Sequence, residues 1–249
     1  MTIDHGTTRA IDPVRLAAAA RSILSCPDEV QLVVDGVDDI CEGLDGDTPG
    51  GGPGLGMQDV DGRPVFSCPP ASALARAAGE RRSALLTLTS GLGRAGSPDR
   101  DATLTLAGRL DTSALEECDC CAQLRAQVTV RLDFVMLARN DDADRRIRVP
   151  LGAFGAAEHH LNRGFLQRSV EHANECHQDE LRRAIATTSG TRLADIGGVL
   201  LTDLHPDRVE VQWIDVAGAH TSLLTFDRSA TTSAELGDLL RENLHSGLC

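Results

Sequence analysis

QVTVRLDFVML, residues 127–137, is the clearest strand in the sequence and decides the fold class of the first half of the chain. Apolar and polar residues alternate along it, which is the period-two pattern of a half-buried strand. The alternation predicts one core-facing side that carries Val128, Val130, Leu132, Phe134 and Met136. The opposite side would carry Thr129, Arg131 and Asp133.

Further strands and two short helices surround this segment. Strand patterns cover residues 29–36, 83–89, 101–110 and 146–150, and Asp61-Gly62 is a hairpin turn signal. A helix is predicted over residues 12–24, with Asp12 as N-cap and Pro13 at its first position, and another over residues 71–79. Several antiparallel strands with short interposed helices favour a closed or partly closed β-barrel over residues 1–150.

The pattern changes after Pro150, so residues 151–249 are predicted to form a second, small α+β domain. Residues 158–187 have helical character, with Gly164 as the expected point of division. Three short strands follow, at 198–204, 208–216 and 220–226. Thr232 and Glu235 then form a capping box for a last helix. The order is helix, three-stranded meander, helix, and the fold class of the whole chain is α+β.

Charge and composition exclude several classes of function. The 249 residues contain 24 arginines, no lysine and 37 acidic residues, so the net charge is −13. Such an acidic chain is not expected to bind nucleic acid or an anionic membrane. No apolar run approaches the ~20 residues of a transmembrane helix. The first residues do not resemble a signal peptide, so we expect a cytoplasmic protein whose eight cysteines are thiols.

Residues 170–185, VEHANECHQDELRRAI, contain the densest set of chemically capable side chains. On a continuous helix, His177 would lie on the buried apolar side, while His172 and Cys176 would share a second side. A histidine and a cysteine four residues apart could supply two corners of a zinc site, but no second ligand pair lies at a matching distance. The alternative is a core histidine beside a solvated polar surface, and no metal is assigned.

Two other segments have composition that is unusual but not diagnostic. Cys118, Cys120 and Cys121 lie among acidic residues and lack the C-x-x-C spacing of zinc sites, so structural thiols are favoured over redox or soft-metal chemistry. The glycine-rich stretch at 49–56 lacks the following helix that a phosphate-binding loop requires, and a plain loop is favoured over a ligand lid.

One segment resembles a known family. EHANECHQDEL, residues 171–181, is similar to the H-x-N-x-x-H helix that opens the C-terminal domain of haem-utilisation proteins of the HugZ type, with His172, Asn174 and His177 at the motif positions. Residues 61–89 and 101–111, the latter with Gly108-Arg109, resemble parts of the family's split β-barrel, which is related to pyridoxamine-phosphate oxidases. The resemblance implies a split β-barrel over 1–150 followed by the small domain over 151–249.

The family also implies a function. Its members form homodimers and bind haem, some open the haem ring oxidatively, and related members are binding proteins in tetrapyrrole metabolism. A histidine of the C-terminal tail can be the axial ligand, which makes His245 the first candidate here and His5 a weaker one. Two alternatives stay open: a non-catalytic binding or regulatory module, and an FMN-dependent oxidoreductase. FMN is the less expected cofactor because no phosphate-binding set of side chains can be assigned.

Overall fold

The computed structural model describes residues 12–44, 55–117, 123–139 and 145–245. The chain forms two compact units, Met1–His159 and His160–Cys249, which we call the barrel unit and the C-terminal unit. Among the residues described, no helix is both long enough and apolar enough to cross a membrane.

The barrel unit is built on one curled antiparallel sheet. Its strands are β1 (Pro27–Val34), β2 (Met57–Val60), β3 (Arg63–Cys68), β4 (Ser83–Ser90), β5 (Ala102–Glu117), β6 (Leu124–Arg139) and β7 (Arg145–Arg148). Its helices are α1 (Pro13–Ser25), α2 (Ala73–Gly79) and α3 (Leu151–Phe154). The strand order is β1-β4-β5-β6-β3-β2, and β7 also pairs with β6. The sheet is a half-barrel. Together with the helices of the chain, it confirms the predicted α+β class and the partly closed barrel.

Local signals account for the starts and turns of these elements. The Asp12 carboxylate accepts a hydrogen bond from the Val14 N–H at 3.0 Å and caps α1, with Pro13 at the first helical position. Asp61 and Gly62 have φ values of 54° and 81°, which two-residue hairpins of the type I′ class require. The predicted hairpin between β2 and β3 is therefore confirmed.

The core of the barrel unit lies on one side of the sheet, where α1 and α2 pack on it. Leu86, Leu104, Leu106, Val128 and Val130 have no exposed surface. The predicted alternation of β6 is correct for Val128 and Val130, and the half-buried Leu132 also packs against this core.

The predicted side of β6 is wrong at Phe134 and Met136. A bulge places Ala107 opposite Phe134 but Gly108 opposite Leu132, so Asp133 is an extra residue in β6. Beyond it the alternation changes phase, and Val135 and Leu137 are buried instead. Phe134 lies on the other side of the sheet, where the Arg148 guanidinium is 5.5 Å from its ring centroid.

The C-terminal unit has a three-stranded antiparallel sheet and three helices. The strands are β8 (Gly198–His205), β9 (Arg208–Asp215) and β10 (Gly218–Thr225), in the order β10-β9-β8. The helices are α4 (Arg163–Cys176), α5 (Gln178–Ser189) and α6 (Ser233–His245). Apolar residues of β8, β9, α5 and α6 form its buried core, including Leu181, Val199, Val211 and Leu239, and the partly buried Leu224 of β10 packs against this core.

One detail of these helices differs from the predictions, and another agrees with them. Gly164 lies inside the first turn of α4 and does not divide the helix; the break comes at His177, whose φ and ψ are −121° and 27°. In α6 the Thr232 hydroxyl accepts from the Glu235 N–H at 3.2 Å, as a capping box predicts. The Glu235 carboxylate accepts from the N–H of Thr231 at 2.8 Å, in addition to its backbone hydrogen bond with Thr232.

Candidate functional site

An apolar groove in the C-terminal unit is the best candidate for a binding site. It has a volume of about 460 Å³ and lies between α4, α5, β8 and α6. Six apolar side chains line it: Ala173, Leu181, Ala184, Leu201, Leu240 and Leu244. Cavities that bind small molecules generally measure about 300–1,000 Å³ and have mostly apolar walls with a few polar groups. The groove has these properties.

Three polar side chains also line the groove, those of His177, Glu180 and Arg241. His177 lies at the corner between α4 and α5, and its Nδ1 is 4.0 Å from a carboxylate oxygen of Glu180. Arg241 extends from α6 and forms an ion pair with Asp238 at 2.8 Å. An imidazole and a guanidinium beside an apolar surface suit a ligand with an apolar body. The guanidinium would pair with a carboxylate of that ligand, and the imidazole would bind a metal centre or a hydrogen-bond acceptor.

The helix break explains why His177 reaches this groove. A continuous helix would place His177 on the buried side, but the residue ends α4 and begins α5, and half of its side chain is exposed. Its ring meets the ring of His172 edge-on, with the centroids 5.1 Å apart. The prediction of a core histidine is therefore wrong, because the break turns the imidazole out of the core.

Asn174, the middle residue of the motif, has a structural role. Its Nδ2 donates to the Leu201 carbonyl at 2.9 Å, and its Oδ1 accepts from the Leu201 N–H at 2.8 Å. The amide thus pairs with the free edge of β8 as another strand would. Gln178 extends the same cover by donating from Nε2 to the Val199 carbonyl at 2.8 Å. Because exposed strand edges invite unwanted pairing, these two amides close the sheet on this side.

The other candidate ligands are placed differently. Cys176 is exposed on α4, and within the described ranges no three His, Cys, Asp or Glu side chains come together as a metal site would require. His245 is the last residue of α6 and directly follows Leu244, a lining residue of the groove. His5, the three cysteines at 118, 120 and 121, and residues 49–54 of the glycine-rich stretch lie outside the described residues.

Two cysteines outside the 118–121 cluster are buried thiols. Cys26 and Cys68 are each buried in the core of the barrel unit. Burial raises the pKa of the Cys68 thiol above its ordinary value of 9.0, although Ser72 and Arg125 act in the opposite direction. A thiol with a raised pKa is a poor nucleophile at neutral pH.

The barrel unit contains a buried ion pair that the sequence patterns do not predict. The Arg21 side chain is 2% exposed, donates to the Phe154 carbonyl at 3.2 Å and lies 3.4 Å from the 9% exposed carboxylate of Asp59. Ser25 donates to the same carboxylate at 2.5 Å. The one sequence signal is the spacing of four residues between Ala17 and Arg21, which places both on the same side of the predicted alanine-rich helix. These contacts fasten α1 to the β2–β3 hairpin and to α3.

A second polar cluster lies at the end of the β9–β10 hairpin. The His220 ring stacks on Trp213 with centroids 5.0 Å apart and an interplanar angle of 15°. His220 Nε2 is 2.9 Å from Asp215 Oδ1, which also accepts from the Ala217 N–H at 2.8 Å. The hydrogen bond from His220 is the main reason that the pKa of Asp215 lies below its ordinary value of 3.8. The cluster holds the indole ring in a fixed orientation.

Comparison with known proteins gives structural likenesses alone. No family model and no curated protein matches the chain. Several solved structures are similar in part, and three of them illustrate the range. A heme binding protein from Mycobacterium smegmatis is 16% identical, with 93% of this chain and 97% of that chain covered and a TM-score of 0.41. A putative general stress family protein from Xanthomonas campestris is 17% identical, with 53% and 92% covered and a TM-score of 0.38.

The third is a protein of unknown function from Agrobacterium tumefaciens, which is 18% identical, with 94% of this chain and 98% of that chain covered and a TM-score of 0.36. Identities and TM-scores this low carry no functional statement. The fold described above, a half-barrel sheet followed by a small α+β unit, is a property of this chain's own backbone.

Proposed function

We propose that this protein binds haem and that the groove of the C-terminal unit holds it. The observation that carries the proposal is the combination of six apolar lining residues with the imidazole of His177 and the guanidinium of Arg241 in one cavity. Haem is a flat apolar ring with an iron that binds imidazole and with two carboxylates that pair with guanidinium groups. The residues present therefore match the chemistry of that ligand.

Two histidines are candidates for the iron. His177 lines the groove itself. His245, which the family resemblance suggests, follows the lining residue Leu244 at the end of α6. Arg241 would pair with a propionate of the haem. To do so it would either give up its ion pair with Asp238 or bind both carboxylates at once. Arg163 and Arg168, which precede the motif on α4, are not among the residues that line the groove.

His177 or His245 would hold the iron of bound haem, which would supply redox chemistry that the side chains themselves lack. This chain would contribute the apolar walls that exclude water and the histidine that holds the iron. Homodimer formation and oxidative opening of the ring are implied only by the family resemblance, and both stay predictions. FMN binding is not part of the proposal.

The test is a titration of the full chain with haemin, followed by absorbance in the Soret region. We expect a Soret band that shifts on binding, and a weaker or displaced band in His177→Ala, in His245→Ala or in the double variant. His205→Ala is the matched control, because His205 pairs with Asp203 at 3.2 Å and does not line the groove. Arg241→Gln should weaken binding by about tenfold, since a charged hydrogen bond contributes about 1.5–3 kcal/mol before screening.

Two outcomes would count against the proposal. The first is a wild-type spectrum that haemin leaves unchanged from that of free haemin. The second is a band that the double variant His177→Ala with His245→Ala leaves intact, because then neither histidine holds the iron. Far-UV circular dichroism of each variant establishes that the fold is retained.

A further inference from the structure

The two edges of the sheet in the C-terminal unit are protected to different degrees. The β8 edge is covered, because Asn174 and Gln178 hydrogen-bond to the backbone of Leu201 and Val199. The pairing of β8 with β9 is also irregular near its end, where the register shifts. Among the described residues, β10 pairs with β9 alone, so the other side of the β10 backbone has no strand beside it.

The β10 strand lacks the features that keep an exposed edge from pairing. Its eight residues, GAHTSLLT, include no proline and no Asp, Glu, Lys or Arg. It pairs with β9 from Gly218 to Thr225 without a register shift. Proteins usually block an exposed edge with charges, prolines or bulges, and a regular edge without them is a template for another strand. The β10 edge is therefore suited to pair with a further strand.

The outward side of the sheet indicates which strand would fit. Leu224 packs against the core, so Leu223 faces away from it and is 59% exposed. The residue opposite Leu223 on β9 is Glu210, which offers no apolar contact. Ala219 lies on the same outward side, opposite Ile214, which is 54% exposed. A strand with a large apolar residue opposite Ala219 and a small residue opposite Leu223 would complement this edge.

The β10 strand of a second copy has this spacing. When two β10 strands pair antiparallel about a twofold axis at Thr221, Leu223 of each copy lies opposite Ala219 of the other. Each Leu223 then extends the apolar row that Ala219 and Ile214 form in the other copy. The two Thr221 side chains meet on the axis, and opposed threonines stabilise a strand pair. Because the β8 edge of each copy is covered, the joined sheet ends at six strands.

Charge also favours a second copy as the partner. A strongly acidic or basic strand would find no opposite charge on β10, whereas β10 itself brings none. The chain as a whole carries a net charge of −13, so two copies repel each other at long range. Salt screens that repulsion, and a contact through two uncharged strands should therefore strengthen as the ionic strength rises. A contact held by ion pairs would weaken instead.

We propose that β10 is an interaction surface for a second copy of this chain, and that the two β10 strands pair antiparallel about Thr221. The pairing joins the two three-stranded sheets into one. The proposal does not depend on haem binding, because no residue of β10 lines the groove. It is also separate from any contact that the barrel unit makes.

Hydrogen–deuterium exchange of the full chain, followed by mass spectrometry of peptides that cover residues 218–225, tests the pairing. Alternate N–H groups of an unpaired edge strand have no strand partner and exchange quickly. We expect their exchange to slow as the protein concentration rises, by about tenfold once about nine in ten chains are paired. At a fixed concentration, added salt should slow it further. The measurement is local to β10, so contacts elsewhere do not affect it.

A charge on the axis supplies the first variant. Thr221→Lys places two like charges opposite each other and should restore fast exchange at all concentrations. Leu200→Lys is the matched control, because Leu200 is 44% exposed in the same cross-strand row as Gln212 and Thr221 but lies on β8. It should leave the protection of β10 unchanged. Exchange of β8, residues 198–205, should be the same in both variants, which establishes that the sheet is intact.

An exchange of side chains tests the register. Leu223→Ala should weaken the pairing about three- to tenfold, since two symmetric cross-strand contacts are lost. Adding Ala219→Leu to that variant should restore the pairing, because the large and the small residue then exchange places across the axis. An axis at Ser222 would place Ala219 opposite Thr225, and the second substitution would restore nothing.

Three results would overturn the proposal. The first is exchange of residues 218–225 that is the same in the wild type and in Thr221→Lys at every concentration. The second is loss of protection in Leu200→Lys as complete as in Thr221→Lys, because the copies would then stack through their sheet surfaces. The third is a doubly substituted chain, Ala219→Leu with Leu223→Ala, that pairs no better than Leu223→Ala alone.

Discussion

Gly108 shows how a single residue fixes the geometry of the barrel sheet. It lies on β5 opposite the bulge in β6. A Cβ atom at this position would lie 2.0 Å from the Arg131 carbonyl oxygen and 3.0 Å from the Leu132 Cα. Both of these neighbours are backbone atoms, so no side-chain rotation could relieve the clash. Glycine is required here because of the close approach of the two strands.

Gly108→Ala is therefore expected to destabilise the barrel unit by about 1–3 kcal/mol, the usual cost of forced overpacking. Gly237→Ala is the matched control. Gly237 lies within α6, and a Cβ atom there would have as its nearest neighbour the flexible end of Arg241, at 3.8 Å. That change should stabilise the helix by up to about 1 kcal/mol. Urea unfolding measures both, and equal effects of the two substitutions would contradict the requirement for glycine at 108.

Arg21 and Asp59 form the other residue-scale feature with a measurable consequence. Because both side chains are almost fully buried, removing one partner leaves an uncompensated charge. Arg21→Met and Asp59→Asn are each expected to cost about 3–5 kcal/mol. The double variant should cost less than the sum of the two single variants.

A double-mutant cycle by urea unfolding tests this coupling. Arg192 and Asp195 supply the control cycle, since their ion pair at 2.8 Å includes an 84% exposed arginine. Exposed pairs contribute only about 0–1 kcal/mol. If the Arg21–Asp59 cycle gave a coupling free energy as small as that of the control cycle, the buried ion pair would not stabilise the packing of α1.

Residue-scale features were predictable when their partners are close in sequence. The Asp12 cap, the Asp61-Gly62 turn and the Thr232 cap each depend on residues at most three positions away. Arg21 contacts residues 38 and 133 positions away, so nothing in the surrounding sequence identifies its partners.

At the scale of elements, the edge of β8 depends on side chains of helices. Asn174 satisfies both backbone groups of Leu201, so Asn174→Ala leaves a donor and an acceptor without partners. We expect a loss of about 1–3 kcal/mol, measured by urea unfolding with Trp213 emission as the signal. Asn174→Asp keeps the acceptor but loses the donor, and it should also be destabilising.

Gln167→Ala is the control for this prediction. Gln167 is on the same helix, and its Nε2 donates to Glu171 at 2.8 Å within that helix. Its removal should change stability by no more than about 0.5 kcal/mol. If Asn174→Ala were as mild as Gln167→Ala, the amide would not be needed to close the strand edge.

The elements themselves were largely predictable, but their interruptions were not. Strand alternation, caps and turns predicted β1, β4, β5, β8, β9 and β10 because each signal is local. The phase change in β6 depends on its pairing with Gly108, and the break at His177 depends on how α4 and α5 pack on β8. Both depend on a partner element that a single strand or helix does not specify.

At the scale of the molecule, two carboxyl groups couple the stability of the C-terminal unit to acid. The pKa of Asp215 is lowered chiefly by the hydrogen bond from His220, and the pKa of Glu235 is lowered from 4.5 chiefly by the hydrogen bond from the Thr231 hydroxyl. A group whose folded pKa lies below its unfolded pKa stabilises the fold above the unfolded value. That stabilisation is lost as the pH falls through the folded value.

The C-terminal unit should therefore lose stability as the pH falls below the ordinary carboxyl values of 3.8 and 4.5. Asp215→Asn and Glu235→Gln should be less stable than the wild type near neutral pH, and the difference should shrink in acid. Urea unfolding at a series of pH values, followed by Trp213 emission, measures it. Asp227→Asn controls for the loss of one negative charge, and a difference independent of pH would contradict the assignment.

The groove also belongs to the scale of the whole C-terminal unit, which explains why it was not predicted. Its lining comes from residues 173–184, from Leu201 and from residues 240–244. The motif drew attention to His172, Asn174 and His177, but of these three only His177 lines the groove. Arg241 and Leu244 lie far along the chain from the motif, and only folding brings them beside it.

The extra residue at Asp133 has a consequence for how this protein can change over evolutionary time. At that point the set of alternate β6 residues that faces the core changes. Inserting or deleting one amino acid nearby would therefore turn Val135 and Leu137 out of the core and turn Phe134 and Met136 into it. Substitutions on the outward side are tolerable, but length changes are not. We expect natural variants of this segment to differ in composition while they conserve its length.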